Sequence, residues 1–525
     1  MTIEEEIAQR RTFAIISHPD AGKTTLTEKL LLYSGMILSA GMVKGRKGRK
    51  AATSDWMAME QERGISITSS SMQFTYKGVI INVLDTPGHK DFSEDTYRTL
   101  TAADCAIMVI DASKGVENQT RKLFEICRLR KIPVLTLINK MDMPGRDPLD
   151  LMNEVEEVLQ IHSYAMNWPI GMGREFTGVV DRKTNECLFF TKTSQGGAQK
   201  ADIEKVPLNE AEERIGRVYP ELKQELELLD MAGNVFSRAD FLSGDLTPVF
   251  FASALINFGI EPFFDAFIHL APAPHARMAD KKDGTETEID PVKTPFSGYV
   301  FKLQANMDPR HRDSMAFIRI CSGRFERDLT VKNERSGKEI RLSRSHSMLA
   351  GERTTLDFAY PGDVIGVINP GLFAIGDTLS VTGGFTFKPL PQFQPEIFAT
   401  LYAKDVLKRK SFDKGCLQLV DEGAIQMIKP SEMGGDTIFA AVGQLQFEVM
   451  QYRLKAEYGV DTVMNLLPYQ CSAWIIGDLK TFNKPSNSLL AQDRQSRPMI
   501  LFQNAWSKSY CKEQNPKHEL VDVLA

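Results

Sequence analysis

Cysteine is scarce and scattered: seven residues in 525, no two of them in a C-x-x-C pair. That excludes a disulfide framework and a thiolate metal cage, so the thiols read as reduced core or surface groups. Long apolar runs are missing as well. No stretch reaches membrane-spanning length, and the opening residues Met1-Thr2-Ile3-Glu4-Glu5-Glu6 are acidic where a secretory leader is basic and then apolar. A cytoplasmic protein without membrane contact is expected. Positive charge is not in excess either. The 63 Lys and Arg against 68 Asp and Glu leave a formal charge of −5, which argues against indiscriminate coating of nucleic acid but not against a local basic patch. What the chain does have is length, with 42% hydrophobic residues over 525 positions, enough for three or more buried cores.

The most informative stretch is Phe13-Ala14-Ile15-Ile16-Ser17-His18-Pro19-Asp20-Ala21-Gly22-Lys23-Thr24-Thr25, a short apolar run that breaks into a polar loop. It reads as a phosphate-binding loop between a buried strand and a helix. Backbone N–H groups must turn inward there, which Gly22 permits; a Lys23 ammonium would meet the β- and γ-phosphates and a Thr24 hydroxyl would meet Mg²⁺. The pattern fits G-x-x-x-x-G-K-[ST] except at its first position, where Ser17 replaces glycine. Order along the chain supplies what the pattern lacks. Asp85-Thr86-Pro87-Gly88-His89 follows the apolar Val79–Leu84, and Asn139-Lys140-Met141-Asp142 follows Ile132–Ile138. Open α/β sheets bind nucleotides at the carboxyl ends of their strands, so three polar motifs at three strand ends describe one site.

Base identity follows from the third motif. A fixed carboxylate at Asp142 can accept from guanine N1–H and its exocyclic amine, whereas adenine offers no such donor pair, so GTP and GDP are favoured over the adenine nucleotides. Asn139 would tether the loops, the Lys140 stem would lie along the base, and Ser253-Ala254-Leu255, after Pro248–Ala252, would close its far side. Asp85 offers a Mg²⁺-side carboxylate acting through water, and Gly88 an N–H for the γ-phosphate. His89 is the candidate catalytic residue, since phosphoryl transfer needs an oriented water more than a strong base. Between the first two motifs, Ser66 is placed to reach Mg²⁺ only when a γ-phosphate draws its segment in. The basic cluster Lys44, Arg46, Lys47, Arg49 and Lys50 reads either as an RNA-facing patch or as a solvated loop.

The apolar strand Cys105–Ile110, ending at Asp111, and a helix from about 118 to 130 complete the alternation of a doubly wound sheet. Ser253 lies 114 positions beyond Asn139, more than one helix and one strand require, so a subdomain inserted at about 160–247 is expected in a nucleotide-binding domain spanning 1–275. Within it, residues 201–230 hold nine acidic against four basic residues, most simply a solvated helix pair. Residues 276–294, charged after a proline-rich stretch, read as a linker. Short alternating runs with frequent turns predict a small β-barrel over 295–388. From 389 to 525 the order strand, helix, two strands, helix, strand predicts a ferredoxin-like α+β domain. Its second helix carries Leu445, Val449, Tyr452 and Ala456 as one apolar stripe for the sheet, and the tail after about Gly477 reads as too short for a further domain.

With these motifs in place the chain resembles the translational GTPases of the elongation factor G-like group. The resemblance rests on the phosphate loop, Gln61-Glu62-Arg63-Gly64-Ile65, Asp85-Thr86-Pro87-Gly88-His89, Asn139-Lys140-Met141-Asp142 and Pro361-Gly362-Asp363-Val364-Ile365. Ser17–Thr24, Arg63-Gly64-Ile65-Ser66-Ile67 and Val442-Gly443-Gln444-Leu445-Gln446-Phe447-Glu448-Val449 resemble more closely the bacterial release-factor branch of that group. The resemblance implies that Lys23 and Thr24 hold phosphate and Mg²⁺, that Ser66 matches a switch threonine, that Ile65 belongs to an apolar gate, and that His89 is catalytic. It implies a ribosomal partner, whose RNA the basic cluster is a candidate to face, and a functional link to decoding (class I) release factors, in a protein expected to be a monomer. No Gly-Gly-Gln is present, so hydrolysis of peptidyl-tRNA is not expected. The expected activity is ribosome-stimulated hydrolysis of GTP to GDP and phosphate that drives decoding release factors off after peptide release. A shortened translocase or ribosome-protection GTPase and a nucleotide-gated scaffold are the competing expectations; the chain is expected to stop before the two further domains of a translocase.

Overall fold

The computed structural model describes residues 1–37, 69–191, 197–232, 235–305, 314–343, 345–349, 352–390, 392–431 and 435–524. Ser66, Ile65 and the basic cluster Lys44, Arg46, Lys47, Arg49 and Lys50 lie outside the described residues.

Strand β1 (Arg10–Ser17) shows why the first domain is layered. Successive side chains point to opposite faces of a strand, and here Phe13 and Ile15 enter one core while Ala14 and Ile16 enter another. The first core is roofed by the helices Lys23–Ser34 and Ile260–Leu270, the second by Ser93–Ala102, Asn118–Leu129 and Pro148–Leu159. The remaining strands of this region are β2 (Ser70–Tyr76), β3 (Val79–Asp85), β4 (Cys105–Asp111), β5 (Val134–Asn139), β6 (His162–Ala165), β7 (Asn167–Ile170), β8 (Gly178–Asp181), β9 (Glu186–Phe190), β10 (Ile203–Pro207) and β11 (Leu246–Phe251). The main sheet runs β2-β3-β1-β4-β5-β11-β6, parallel except for β2. Strand order reverses around β1, the kind of position where such sheets bind ligands. Within the stretch expected as an insert, β7–β10 form a separate antiparallel sheet, but β6 pairs with β11 and belongs to the main sheet.

Residues 276–294, expected as a linker, are built differently. Arg277–Lys281 and Glu286–Ile289 form a hairpin around Gly284, and its first strand pairs with Phe385–Phe387 at the far end of the next domain. Composition marked the turn, but only the long-range pairing reveals the strands. The second domain is an eight-stranded antiparallel sheet with a two-stranded ribbon around one apolar core, the β-barrel domain.

This barrel is fastened to the first domain by buried polar groups. Asp363 accepts from Arg10 Nε at 2.9 Å, Gln73 Nε2 at 2.8 Å and Asn82 Nδ2 at 3.3 Å. Arg319 and Arg277 reach Asp104 at 2.5 and 3.2 Å. Burial alone would raise the Asp104 carboxyl, but the two guanidiniums outweigh it and hold it below the usual carboxylate range.

The third domain contains the expected βαββαβ unit, with strands ordered Thr462–Leu466, Ile397–Ala403, Ile438–Ala441, Gln426–Pro430. The tail after Gly477, expected to be too short for a further domain, is built into this one: Ser488–Gln492, Pro498–Phe502 and Glu519–Val521 join Cys471–Ile476 in extending the sheet to eight strands, and the helix Ala505–Gln514 covers a core of their own. Contrary to expectation, the Leu445 stripe does not face the sheet. Phe447, Met450 and Leu454 of the Gln444–Tyr458 helix do so, whereas Leu445, Val449 and Tyr452 pack on Phe92 of the first domain and Ala456 is exposed. The helix is apolar on two sides, so spacing alone did not identify which side met the sheet. Among the described residues no helix is long and apolar enough to cross a membrane.

Candidate nucleotide-binding site

Between the end of β1 and the Lys23–Ser34 helix the backbone turns left-handed at Asp20 (φ 65°) and Gly22 (φ 100°), the alternation that gathers N–H groups into an anion-binding concavity. Gly22 is required twice over, because a Cβ there would also lie 2.3 Å from Asn139 Nδ2. Ser17 needs no such freedom. It is the last residue of β1, is not among the residues of positive φ, and its hydroxyl donates to the His18 carbonyl at 2.9 Å.

A cleft of about 420 Å³ opens at these strand ends, lined by Ser17, His18, Pro19, Asp20, Gly22, Lys23, Thr24, Thr25, Gly88, His89, Asn139, Lys140, Asp142, Met143, Ala254 and Leu255. Its size lies within the range of small-molecule sites. Lys23 is buried; its ammonium donates to the Thr86 carbonyl and sits 3.3 Å from Asp85 Oδ1, a buried oxygen that otherwise has no hydrogen-bond partner. Asn139 bridges two loops. Its Nδ2 donates to the Ala21 carbonyl and its Oδ1 accepts from the Ala254 N–H, both at 2.9 Å. Asp142 is held by the Ser253 hydroxyl at 2.5 Å. Lys140, at φ 71°, lies 2.8 Å from Asp111. Burial would raise the Asp111 carboxyl, and the hydrogen bonds from Lys140 and Ser113 more than offset this.

His89 opens on the cleft at the end of the loop after β3, with Nδ1 3.4 Å from Asp91 Oδ1. His18 lies 2.7 Å from Glu117. Partial burial lowers its pKa, aided by the Lys114 charge, against the opposing pull of Glu117.

The three sequence motifs therefore converge, but not every residue in them faces the cleft. Ala21 supplies its carbonyl to Asn139, Ser253 its hydroxyl to Asp142, and Asp85 and Thr86 contact Lys23 from beneath. Pro87 accepts from Thr96 Oγ1, and Met141 is fully buried. Two residues escaped the sequence reading. Met143, directly after Asp142, reaches the rim. Asp111 orients Lys140; as the polar end of an apolar strand it carried the same signal as Asp85.

Comparison with known proteins fits this geometry. Residues 8–273 match the model described as Elongation factor Tu GTP binding domain, residues 295–382 Elongation factor G domain 2, and residues 387–512 Class II release factor RF3, C-terminal domain. A crystal structure of a protein from Thermus thermophilus superposes with a TM-score of 0.70 at 21% identity, covering 93% of this chain and 72% of that one, which supports the fold. Fold and domain matches together define a translational GTPase whose ligand is a guanine nucleotide. Proteins named peptide chain release factor 3 are 52% identical in Synechocystis (96% of this chain, 92% of the relative), 52% in Gloeobacter violaceus (99% of both) and 50% in Acaryochloris marina (99% and 96%). The chain belongs to the peptide chain release factor 3 family and acts as a GTPase in translation termination.

Proposed function

We propose that this chain is a ribosome-dependent GTPase that promotes dissociation of decoding (class I) release factors from the ribosome after peptide release, acting as a monomer in the cytoplasm. The observation that carries the reading is the single cleft onto which a phosphate loop, a guanine-reading carboxylate and His89 all open, in a chain related to release factor 3 proteins along nearly its whole length.

In this reading the N–H groups of the Ser17–Thr25 loop and the Lys23 ammonium hold the phosphates. Displaced toward phosphate, Lys23 exchanges the Thr86 carbonyl for a stronger, charge-assisted partner. Asp142, steadied by Ser253, accepts from guanine, and the Lys140 stem and Leu255 flank the base. His89 orients the attacking water and stabilises charge in the transition state, with the Gly88 N–H at the γ-phosphate. The buried Oδ1 of Asp85, which accepts no hydrogen bond and has only the Lys23 ammonium nearby, and the Thr24 side chain lining the cleft suit Mg²⁺, with Asp85 acting through water; Ser66 is proposed as the switch ligand. Mg²⁺ held there would supply positive charge against the phosphates. Lys44, Arg46, Lys47, Arg49 and Lys50 are proposed to face ribosomal RNA.

Multiple-turnover GTP hydrolysis measured with and without ribosomes tests this. Strong stimulation by ribosomes, abolished by chelating Mg²⁺ and cut about 100- to 10,000-fold by His89→Ala while affinity for a fluorescent GDP analogue persists, is the expected result. Full hydrolysis by His89→Ala would exclude the assigned catalytic role.

A further inference from the structure

Asp91 lies two residues beyond His89, in the short turn Lys90–Phe92, and it belongs to two sites at once. Toward the first domain, its Oδ1 is 3.4 Å from His89 Nδ1, and its own backbone N–H points at the same nitrogen from 3.3 Å. Toward the third domain, its Oδ2 accepts the Leu445 N–H at 2.9 Å, in the first turn of the Gln444–Tyr458 helix. Asp91 thus caps a helix separated from it by 354 positions, where free N–H groups and the helix dipole favour a carboxylate. The approach is close enough to dictate a residue on the other side. Gly443 has an ordinary extended backbone (φ −144°), so it is not glycine for conformational freedom, but a Cβ there would lie 1.9 Å from Asp91 Cγ.

The two neighbours of His89 Nδ1 demand opposite tautomers. The Asp91 N–H asks for a lone pair on Nδ1, which leaves the proton on Nε2; the Asp91 carboxylate asks for Nδ1–H, which leaves Nε2 bare. The Leu445 N–H competes for that carboxylate. Whether the third domain is docked therefore bears on both the orientation and the tautomer of the imidazole. The surrounding contacts reinforce the docking. Phe92 packs with Leu445, Val449 and Tyr452, and in the next helix Glu94 accepts from Gln426 Nε2 at 2.9 Å.

We propose that Asp91 is a positioning residue for GTP hydrolysis, coupling the start of the Gln444–Tyr458 helix in the third domain to His89. The proposal rests on the catalytic role assigned to His89. Hydrolysis competence then depends on the third domain sitting against the turn, and displacement of that domain alters the histidine without touching the nucleotide.

The test is a double-mutant cycle in single-turnover, ribosome-stimulated GTP hydrolysis by the full chain, using wild type, Asp91→Ala, His89→Ala and the double variant. Affinity for a fluorescent GDP analogue reports that each still folds. Asp91→Ala is expected to slow hydrolysis about 10- to 100-fold with His89 present, the scale of loss for a misplaced reacting group, and to cost nothing further when His89 is alanine. Gly443→Ala, which drives a methyl into the Asp91 carboxylate from the other domain, is expected to reproduce the defect. An equal loss from Asp91→Ala in both backgrounds, or no loss in either, overturns the coupling while leaving the role of His89 intact. A His89→Ala variant that hydrolyses normally removes that role first, and the coupling with it.

Discussion

Replacing Asn139 with alanine probes the joint on which the nucleotide site depends. The side chain is buried and makes two hydrogen bonds of 2.9 Å, giving one to the Ala21 carbonyl in the phosphate loop and taking one from the Ala254 N–H in the loop behind the base. Each such bond contributes about 1 kcal/mol net, and a buried donor left without a partner costs about 1–3 kcal/mol. The two losses together come to about 3 kcal/mol. The loops must be brought back into register for nucleotide to bind, so most of this is expected in affinity, a rise in Kd of roughly 100-fold at 1.4 kcal/mol per decade. The assay is equilibrium titration with a fluorescent GDP analogue, with thermal unfolding run alongside. A Kd within about threefold of wild type, in a protein that still unfolds cooperatively, would refute the idea that this one side chain fixes both loops.

Three further outcomes follow from other parts of the molecule. Asp142→Asn exchanges an acceptor for a group that also carries a donor, which should weaken GDP by about 2–3 kcal/mol and favour an analogue whose exocyclic amine is a carbonyl; competition titration with the two diphosphates checks the ordering. Arg319→Ala leaves Asp104, fully buried, without its nearest partner; breaking a buried pair costs about 3–5 kcal/mol, and calorimetry should show a lower Tm, with an unchanged Tm counting against the interface described. Lys29 is buried, and desolvation depresses its pKa from 10.5 to about 8. The unfolded chain therefore holds a proton that the folded one has lost between those values, so the contribution of Lys29 to stability should rise by about 3 kcal/mol from pH 8 to 10.5. Lys29→Met should lack that rise, as denaturant titrations at the two pH values would report.

What could be read from the sequence was local. The phosphate loop, Asp85–His89 and Asn139–Asp142 each end an apolar strand, and a parallel sheet gathers strand ends, so a one-dimensional order implied a three-dimensional site. The βαββαβ order of 397–466 was legible for the same reason, since its helices and strands alternate with distinct periods. Long-range pairing was not legible. The hairpin 277–289 depends on Phe385–Phe387, and the strands after Gly477 are short pieces that become a sheet only beside one another. The Gln444–Tyr458 helix misled because both its sides are apolar, one for its own sheet and one for Phe92. Asp91, whose partner lies in another domain, carried no sequence signal beyond its proximity to His89.

The proposed activity is guanine-nucleotide turnover in this cleft that drives a decoding release factor from the ribosome. Its most direct test is the dissociation rate of a fluorescent class I release factor from post-termination ribosomes, measured with the purified protein and GTP, with GDP, and with His89→Ala plus GTP. Acceleration with GTP and not with GDP is expected, and the His89→Ala arm separates the contribution of binding from that of hydrolysis. Dissociation unaffected by GTP, with ribosome-stimulated hydrolysis intact, would contradict it.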